Sequence, residues 1–370
     1  MKDTMTDANF PRTADLRVYH LGLRPGEVAN RIVRLRTFLS GCFASNRLKV
    51  TVGSPSRARI VAGHFDPSPK LFELASERGF LTLTGRYHGV PISVVSIGMG
   101  HPNVDFFVRE VRECLSGDML VVRLGSCGGL IDVPVGSVVV PKASVAVERN
   151  VDYDFVASES TELPYRVSKP AFADPELSDQ VYRSLLAAKP KKVENDKTVV
   201  VNECTNASAD SFYSSQGRQT SFPDRNEYLI EHLQKTVPNL ATFEMETFWI
   251  YHLAACWSGR NRRETEVSAP GAAASIPLAT GPVRVNAGLS PSTISSTSGH
   301  TKAPLAGHNT VIRAASAQMI FAARASRDFI TPEQVTVLEE WTTRGVLDAL
   351  VEMSIMPNRL HAEEGSVWAV

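Results

Sequence analysis

No uninterrupted apolar run in these 370 residues approaches the roughly 18 residues that a membrane helix needs. The stretch from Met1 to His20 is polar and lacks the apolar segment of a secretion signal. Cysteine is scarce. Cys42, Cys114, Cys127, Cys204 and Cys256 are odd in number and widely spaced, with no Cys-x-x-Cys pair. That pattern argues against a disulfide framework or a zinc ribbon and for a reducing compartment. Charge of one sign is also missing: Lys plus Arg equals Asp plus Glu at 39 each, so there is no electrostatic footprint for nucleic acid or a membrane surface. The expectation is a soluble, cytoplasmic protein, and the sequon Asn206-Ala207-Ser208 carries no weight. The nine histidines include no His-x-x-x-His pair, so no metal site is expected. Gly-x-Ser-x-Gly and the P-loop pattern are absent, and Gly98-Met99-Gly100 lacks the third glycine of a dinucleotide fingerprint. His101 beside it reads as a capping or packing residue.

What is present is a series of short β-branched runs bounded by glycine or proline: Leu48–Gly53, Pro91–Gly98, Met119–Gly125, Ser137–Val140, Ser144–Val147 and Thr198–Asn202. These read as buried strands. Between them lie helical patterns, among them Val104–Leu115, with Phe106, Phe107, Val111 and Leu115 on one face, and a long closing helix, Val335–Met353. The alternation predicts an α/β fold. Ser258–Val311 differs: it is rich in Ala, Ser, Gly, Pro and Thr, has no aromatic residue and reads as a surface insertion. The expected organisation is an N-terminal tail (1–18), one domain (19–356) carrying that insertion (258–311), and a C-terminal tail (357–370).

Four constellations carry candidate chemistry. Gly53-Ser54-Pro55-Ser56-Arg57 follows a strand; it suits an anion, or is an ordinary turn with a surface arginine. In Val121-Val122-Arg123-Leu124-Gly125-Ser126-Cys127-Gly128-Gly129, an arginine within an apolar strand needs an anion or an acid beside it, and a small-residue turn follows. Arg123 could equally pair with a structural carboxylate. Phe212…Gln216-Gly217-Arg218 offers a flat face, an amide and a guanidinium, the groups a uracil ring requires, or is a polar surface loop. Glu244-Met245-Glu246 enters an apolar helix; a carboxylate there could accept two ribose hydroxyls, or both acids could favour the helix dipole.

The order of these motifs, with Tyr19-His20-Leu21-Gly22-Leu23 and Ala75-Ser76-Glu77-Arg78, resembles uridine phosphorylases of the nucleoside phosphorylase-I family. The resemblance runs from about Tyr19 to the C-terminal helix. It implies a single-domain three-layer α/β/α sandwich around a central mixed β-sheet. It also implies reversible phosphorolysis of uridine, with deoxyuridine or thymidine as further candidates, to uracil and (deoxy)ribose 1-phosphate in pyrimidine salvage. No cofactor is implied beyond inorganic phosphate as co-substrate. Gly53, Arg57, Arg123 and Ser126 would hold phosphate, joined by Arg78 from a neighbouring subunit. Met245 and Glu246 would hold ribose, with His20 arriving across the interface. Phe212, Gln216 and Arg218 would hold uracil, with Arg324 supporting the glutamine. Arg123, Arg218, Gln216 and Glu246 would do the catalytic work in an assembly that is at least a homodimer.

Departures accompany the resemblance. Ser54 and Ser56 stand where the family commonly has acids, and Gly79 replaces the glutamate with which bacterial members bind a monovalent cation, so that metal is not carried over. The insertion is expected to stand against a larger ring assembly. Rival readings are a purine nucleoside phosphorylase or nucleosidase of the same fold, and a non-catalytic nucleoside-binding relative.

Overall fold

The computed structural model describes residues 4–6, 8–35, 54–157, 162–191, 197–267 and 309–370. The elements in chain order begin with β1 (Arg31–Leu35), α1 (Ser54–Ala62), β2 (Phe72–Ala75), β3 (Leu81–Tyr87), β4 (Val90–Ser96), α2 (His101–Cys114) and β5 (Met119–Gly129). Then come β6 (Val138–Val139), β7 (Ala143–Arg149), β8 (Tyr165–Val167), β9 (Ala171–Phe172), α3 (Pro175–Ala188), β10 (Val200–Val201) and β11 (Thr205–Ala209). The chain closes with α4 (Leu229–Thr236), β12 (Leu240–Glu244), α5 (Thr247–Val267), β13 (Ile312–Ala323) and α6 (Pro332–Glu352). The strands form one mixed sheet in the order β2-β3-β4-β1-β5-β12-β11-β7-β8, with β13 pairing β5 and β6. This is the expected three-layer α/β/α fold.

Strand parity decides what each layer receives, because successive side chains point to opposite faces. On β5, Leu120, Val122 and Leu124 join a core with α1, α3 and α6. Met119 and Val121 face the other way and pack with α2 and α5. Arg123 therefore falls on the α2/α5 face, where both helices begin. Arg34 of β1 lies directly beside it in the parallel β1–β5 register.

Several sequence expectations are revised. The strand expected at Leu48–Gly53 lies outside the described residues. Gly125–Gly129 is not a turn: β5 runs through it, because β13 pairs with it as far as Gly129, with one register shift between Ile320 and Ala322. The first part of the supposed insertion, 258–267, extends α5. Described residues of both expected tails pack on the domain. Phe10 packs against the α2/α5 core and Arg12 donates to Glu113 at 2.7 Å. At the other end Trp368 is fully buried, Val367 N–H donates to the Gly26 carbonyl at 2.9 Å, and Arg359 pairs with Asp118 at 3.2 Å. A large apolar ring near the C-terminus gains more from burial than the segment loses in chain entropy. Among the described residues no helix is long and apolar enough to cross a membrane.

Candidate active site

Arg123 is fully buried; its Nη2 donates to Glu246 Oε2 and forms an ion pair with Glu244 Oε2, each at 2.8 Å. Burial by itself would lower the arginine's pKa; the two carboxylates outweigh it, and the net shift is upward. Its guanidinium lies flat over Gly125, where a Cβ would stand 2.7–2.8 Å from the guanidinium atoms. Glycine is required there by close approach. Arg123 Nε and Nη1 are buried without a hydrogen-bond partner among the described residues. Buried donors in that state are satisfied by an acceptor from water, an ion or a ligand.

The two acids around Met245 divide their work. Glu244, the last residue of β12, accepts from the backbone N–H groups of Glu246 (2.8 Å) and Thr247 (3.1 Å), and so caps α5. Glu246 turns instead to Arg123 and accepts from Gly100 N–H at 2.8 Å, at the N-terminus of α2, with Arg34 Nη1 at 3.5 Å. Gly100 holds φ +86°, a conformation that suits only glycine, and this aims its N–H at the carboxylate. Met245 is buried alongside, its terminal methyl 4.0 Å from the Gly100 Cβ position. Ser126 is fully buried in β5. His101 stacks on Trp249 with ring centroids 3.5 Å apart, a packing role as read from sequence.

A cavity of about 490 Å³ opens at the C-terminal ends of β5, β12 and β13. Cys127, Phe243 and Phe321 supply apolar wall, and Phe212, Gln216, Arg218 and Arg324 supply an aromatic ring, an amide and two guanidinium groups. Arg218 lies over the Phe212 ring at 3.9 Å and donates to the Phe212 carbonyl (2.7 Å) and to Gln216 Oε1 (2.5 Å). Gln216 Nε2 is buried without a partner among the described residues. Arg324 donates to the Gln216 carbonyl at 3.1 Å, so it braces the backbone that carries the amide. The loop is held independently by Asn226, whose Nδ2 donates to the Ser214 (2.8 Å) and Arg218 (3.0 Å) carbonyls.

The remaining candidates lie elsewhere. His20 accepts no partner from this site: its Nδ1 sits 2.6 Å from Glu110 Oε1, its ring stacks on Phe106 at 3.7 Å, and Arg78 bonds the neighbouring Tyr19 hydroxyl. Glu110 lies ten residues along α2 from Gly100, roughly 15 Å at the helical rise. His20 is therefore far from the Glu246 of its own chain. Arg57 departs from the implied arrangement. It sits on α1, on the opposite face of the sheet from Arg123, and its Nε donates to Glu339 of α6 at 2.6 Å. Gly53 lies outside the described residues. Arg34 is what sequence reading passed over, although it carries the same signal as Arg123, an arginine inside an apolar strand.

Residues 47–258 match the family model of the phosphorylase superfamily. The chain belongs to that superfamily. A uridine phosphorylase of Thermococcus kodakarensis is 29% identical over 259 residues, covering 69% of this chain and 78% of that protein. A DeoD-type purine nucleoside phosphorylase of Roseobacter denitrificans is 26% identical over 237 residues, covering 64% of this chain and 80% of that one. Among solved structures, a uridine phosphorylase of the oomycete Phytophthora capsici is 32% identical with a TM-score of 0.71, covering 95% of this chain and 100% of the other. The chain is thus an enzyme of the nucleoside phosphorylase kind, a pentosyltransferase by class. Relatives named for both bases occur, so membership does not choose the base.

Proposed function

We propose that this phosphorylase-superfamily chain cleaves uridine with inorganic phosphate, giving uracil and ribose 1-phosphate. The observation that carries this is the base cavity, where an aromatic face (Phe212), an amide (Gln216) and a guanidinium (Arg218) converge, with an arginine, Arg324, behind them. Uracil leaves as an anion, and Arg218 with Gln216 would meet that charge as it develops. Phosphate would lie against the donors of Arg123, with Gly53 contributing backbone. Ser126 shares the strand parity of Val122 and Leu124 and pairs with Met319 on the α1/α6 face. Like Arg57, it would join the phosphate group only by a change of placement. Glu246 with Met245 would hold ribose. Phosphate beneath C1′ stabilises the oxocarbenium-like sugar and then attacks it, in a site closed against water. In this reading His20 and Arg78 serve the neighbouring subunit's site, so the active unit is at least a dimer in the cytoplasm, working in pyrimidine salvage. Arg57 belongs to the phosphate group only if it leaves Glu339.

The test is incubation with uridine or inosine, with and without phosphate, following base release by ultraviolet absorbance. Phosphate-dependent uracil release is expected. Release without phosphate, or of hypoxanthine only, would overturn the reading. One observation favours a purine instead: Asp328 lines the cavity and could hold a proton for a purine leaving group. Asp328→Asn is expected to leave uridine kcat/KM within about twofold, since no acid is needed on uracil. A large loss confined to inosine would favour the purine reading.

Gly125→Ala tests the phosphate side. The added Cβ would push aside a guanidinium held by two carboxylates, so KM for phosphate should rise about tenfold or more. Melting curves should show that the fold persists. An unchanged phosphate KM would place the anion elsewhere.

A further inference from the structure

Behind Arg123, away from the base cavity, lies a buried polar network with no role in the mechanism above. Asn206, Ser208, Thr242, Glu244, Thr247 and Gln318 are all fully buried. Asn206 Nδ2 donates to Glu244 Oε1 at 2.7 Å, and the Ser208 hydroxyl donates to the same oxygen. The Thr242 hydroxyl shares its proton between Asn206 Oδ1 (3.0 Å) and Gln318 Oε1 (2.5 Å). Gln318 Nε2 donates in turn to the Thr247 hydroxyl at 3.0 Å, at the first residue of α5. Strands β11, β12 and β13 and helix α5 are thereby joined through side chains around one carboxylate. The network also disposes of the sequon: its asparagine is inside the sheet.

Such a network is costly to desolvate unless every member is satisfied, and a satisfied one fixes geometry. Its contrast with Glu246 is informative. Glu246 accepts from the Gly100 N–H and faces Arg123 and Arg34, and in the phosphorolysis reading it must also accept ribose hydroxyls, so its grip on Arg123 changes as substrate binds. Glu244 has no such freedom. Its oxygens are taken by two backbone N–H groups, an amide and a hydroxyl, which leaves it unable to follow a ligand.

We infer that Glu244 is a positioning residue, held by Asn206 and its neighbours, that keeps Arg123 oriented for an anion through the catalytic cycle. The inference rests on the phosphorolysis reading, since it assigns the anion to phosphate. A glutamine at this position keeps the shape but replaces one acceptor by a donor, facing either Asn206 Nδ2 or the α5 N–H groups. It also removes the second anion from Arg123.

Glu244→Gln should raise KM for phosphate about tenfold, the effect of losing a charge-assisted hydrogen bond, while KM for uridine stays within about twofold. Turnover at saturating phosphate should hold within about threefold. Asn206→Ser, which touches Arg123 only through Glu244, should give the same split but weaker. The double variant should be no worse than Glu244→Gln alone, because one effect passes through the other. An unchanged phosphate KM in either variant, a proportionate fall in all kinetic constants, or multiplying effects in the double variant would each overturn the inference. If Glu244→Gln yields no soluble protein, Asn206→Ser alone decides by the same split. Should the wild-type enzyme release no base with phosphate, the phosphorolysis reading itself fails. Calorimetric titration of inorganic phosphate into wild type and variants then still decides whether Glu244 governs anion affinity.

Discussion

Arg218→Ala should cut kcat/KM for uridine by roughly 10²–10³, the scale found when a preorganised donor to a developing anion is removed. The side chain is placed for that task and for little else. Its guanidinium spans the Phe212 ring at 3.9 Å and holds Gln216 Oε1 at 2.5 Å, so one residue fixes both the aromatic face and the amide orientation. Truncation would remove a donor to the base and release the glutamine. The fold should be indifferent. Asn226 and Arg324 grip the backbone of the same loop through carbonyls that the mutation leaves in place, and Arg218 is only partly buried. Unfolding free energy should therefore move by no more than about 1 kcal/mol. The loss should fall on uridine, with phosphate KM nearly unchanged. Steady-state kinetics against each substrate and urea unfolding measure these quantities. Normal turnover would sink the base-site assignment, and a parallel collapse of stability would make Arg218 a structural residue.

The cluster of Phe212, Gln216 and Arg218 at the cavity was legible because the three are close in sequence: they share one short loop and need no long-range pairing to be seen together. Arg123 was legible for a different reason, since an arginine among valines and leucines demands a partner whatever the fold. Its partner was not. Two readings were open, an anion or a structural carboxylate; the structure shows carboxylates at Nη2 and, among the described residues, no partner for Nε and Nη1. Arg34 passed unread because its neighbour across the sheet, Arg123, is 89 positions away, and only the β1–β5 register joins them. Arg57 shows the converse. Its motif lies in family order, but the face of the sheet on which α1 lands decides what the guanidinium meets, and here that is Glu339. Gly125–Gly129 misled by composition: glycines that read as a turn are strand residues, kept small by the guanidinium over Gly125 and by Ile320 against Gly129. Of the acids flanking Met245, Glu244 takes the helix-capping role that was one of the two readings, and Glu246 turns to Arg123 and the Gly100 N–H. One residue of separation at a strand-to-helix junction was enough to turn them apart.

Arg123→Met is the substitution for which the largest combined effect is expected. Methionine fills much the same volume, so cavity formation contributes little, and what remains is electrostatic. Glu244 and Glu246 would be left fully buried on either side of an apolar chain, and breaking a buried ion pair from one side typically costs about 3–5 kcal/mol. Arg34, at 3.5 Å from Glu246 Oε2, tempers the loss for that acid. Glu244 keeps only neutral donors, its backbone cap, Asn206 and Ser208. The estimate therefore belongs near the lower bound, about 3 kcal/mol. Arg123→Lys separates charge from geometry. It restores a cation, so most of the stability should return, but a single ammonium cannot hold both acids and present flat donors to an anion. The expected pattern is a low urea midpoint and no phosphorolysis for the methionine variant, and a near-normal midpoint with phosphate KM still raised at least tenfold for the lysine variant. If lysine restores phosphate affinity as fully as it restores stability, Arg123 supplies only charge, and the anion must be oriented by other donors.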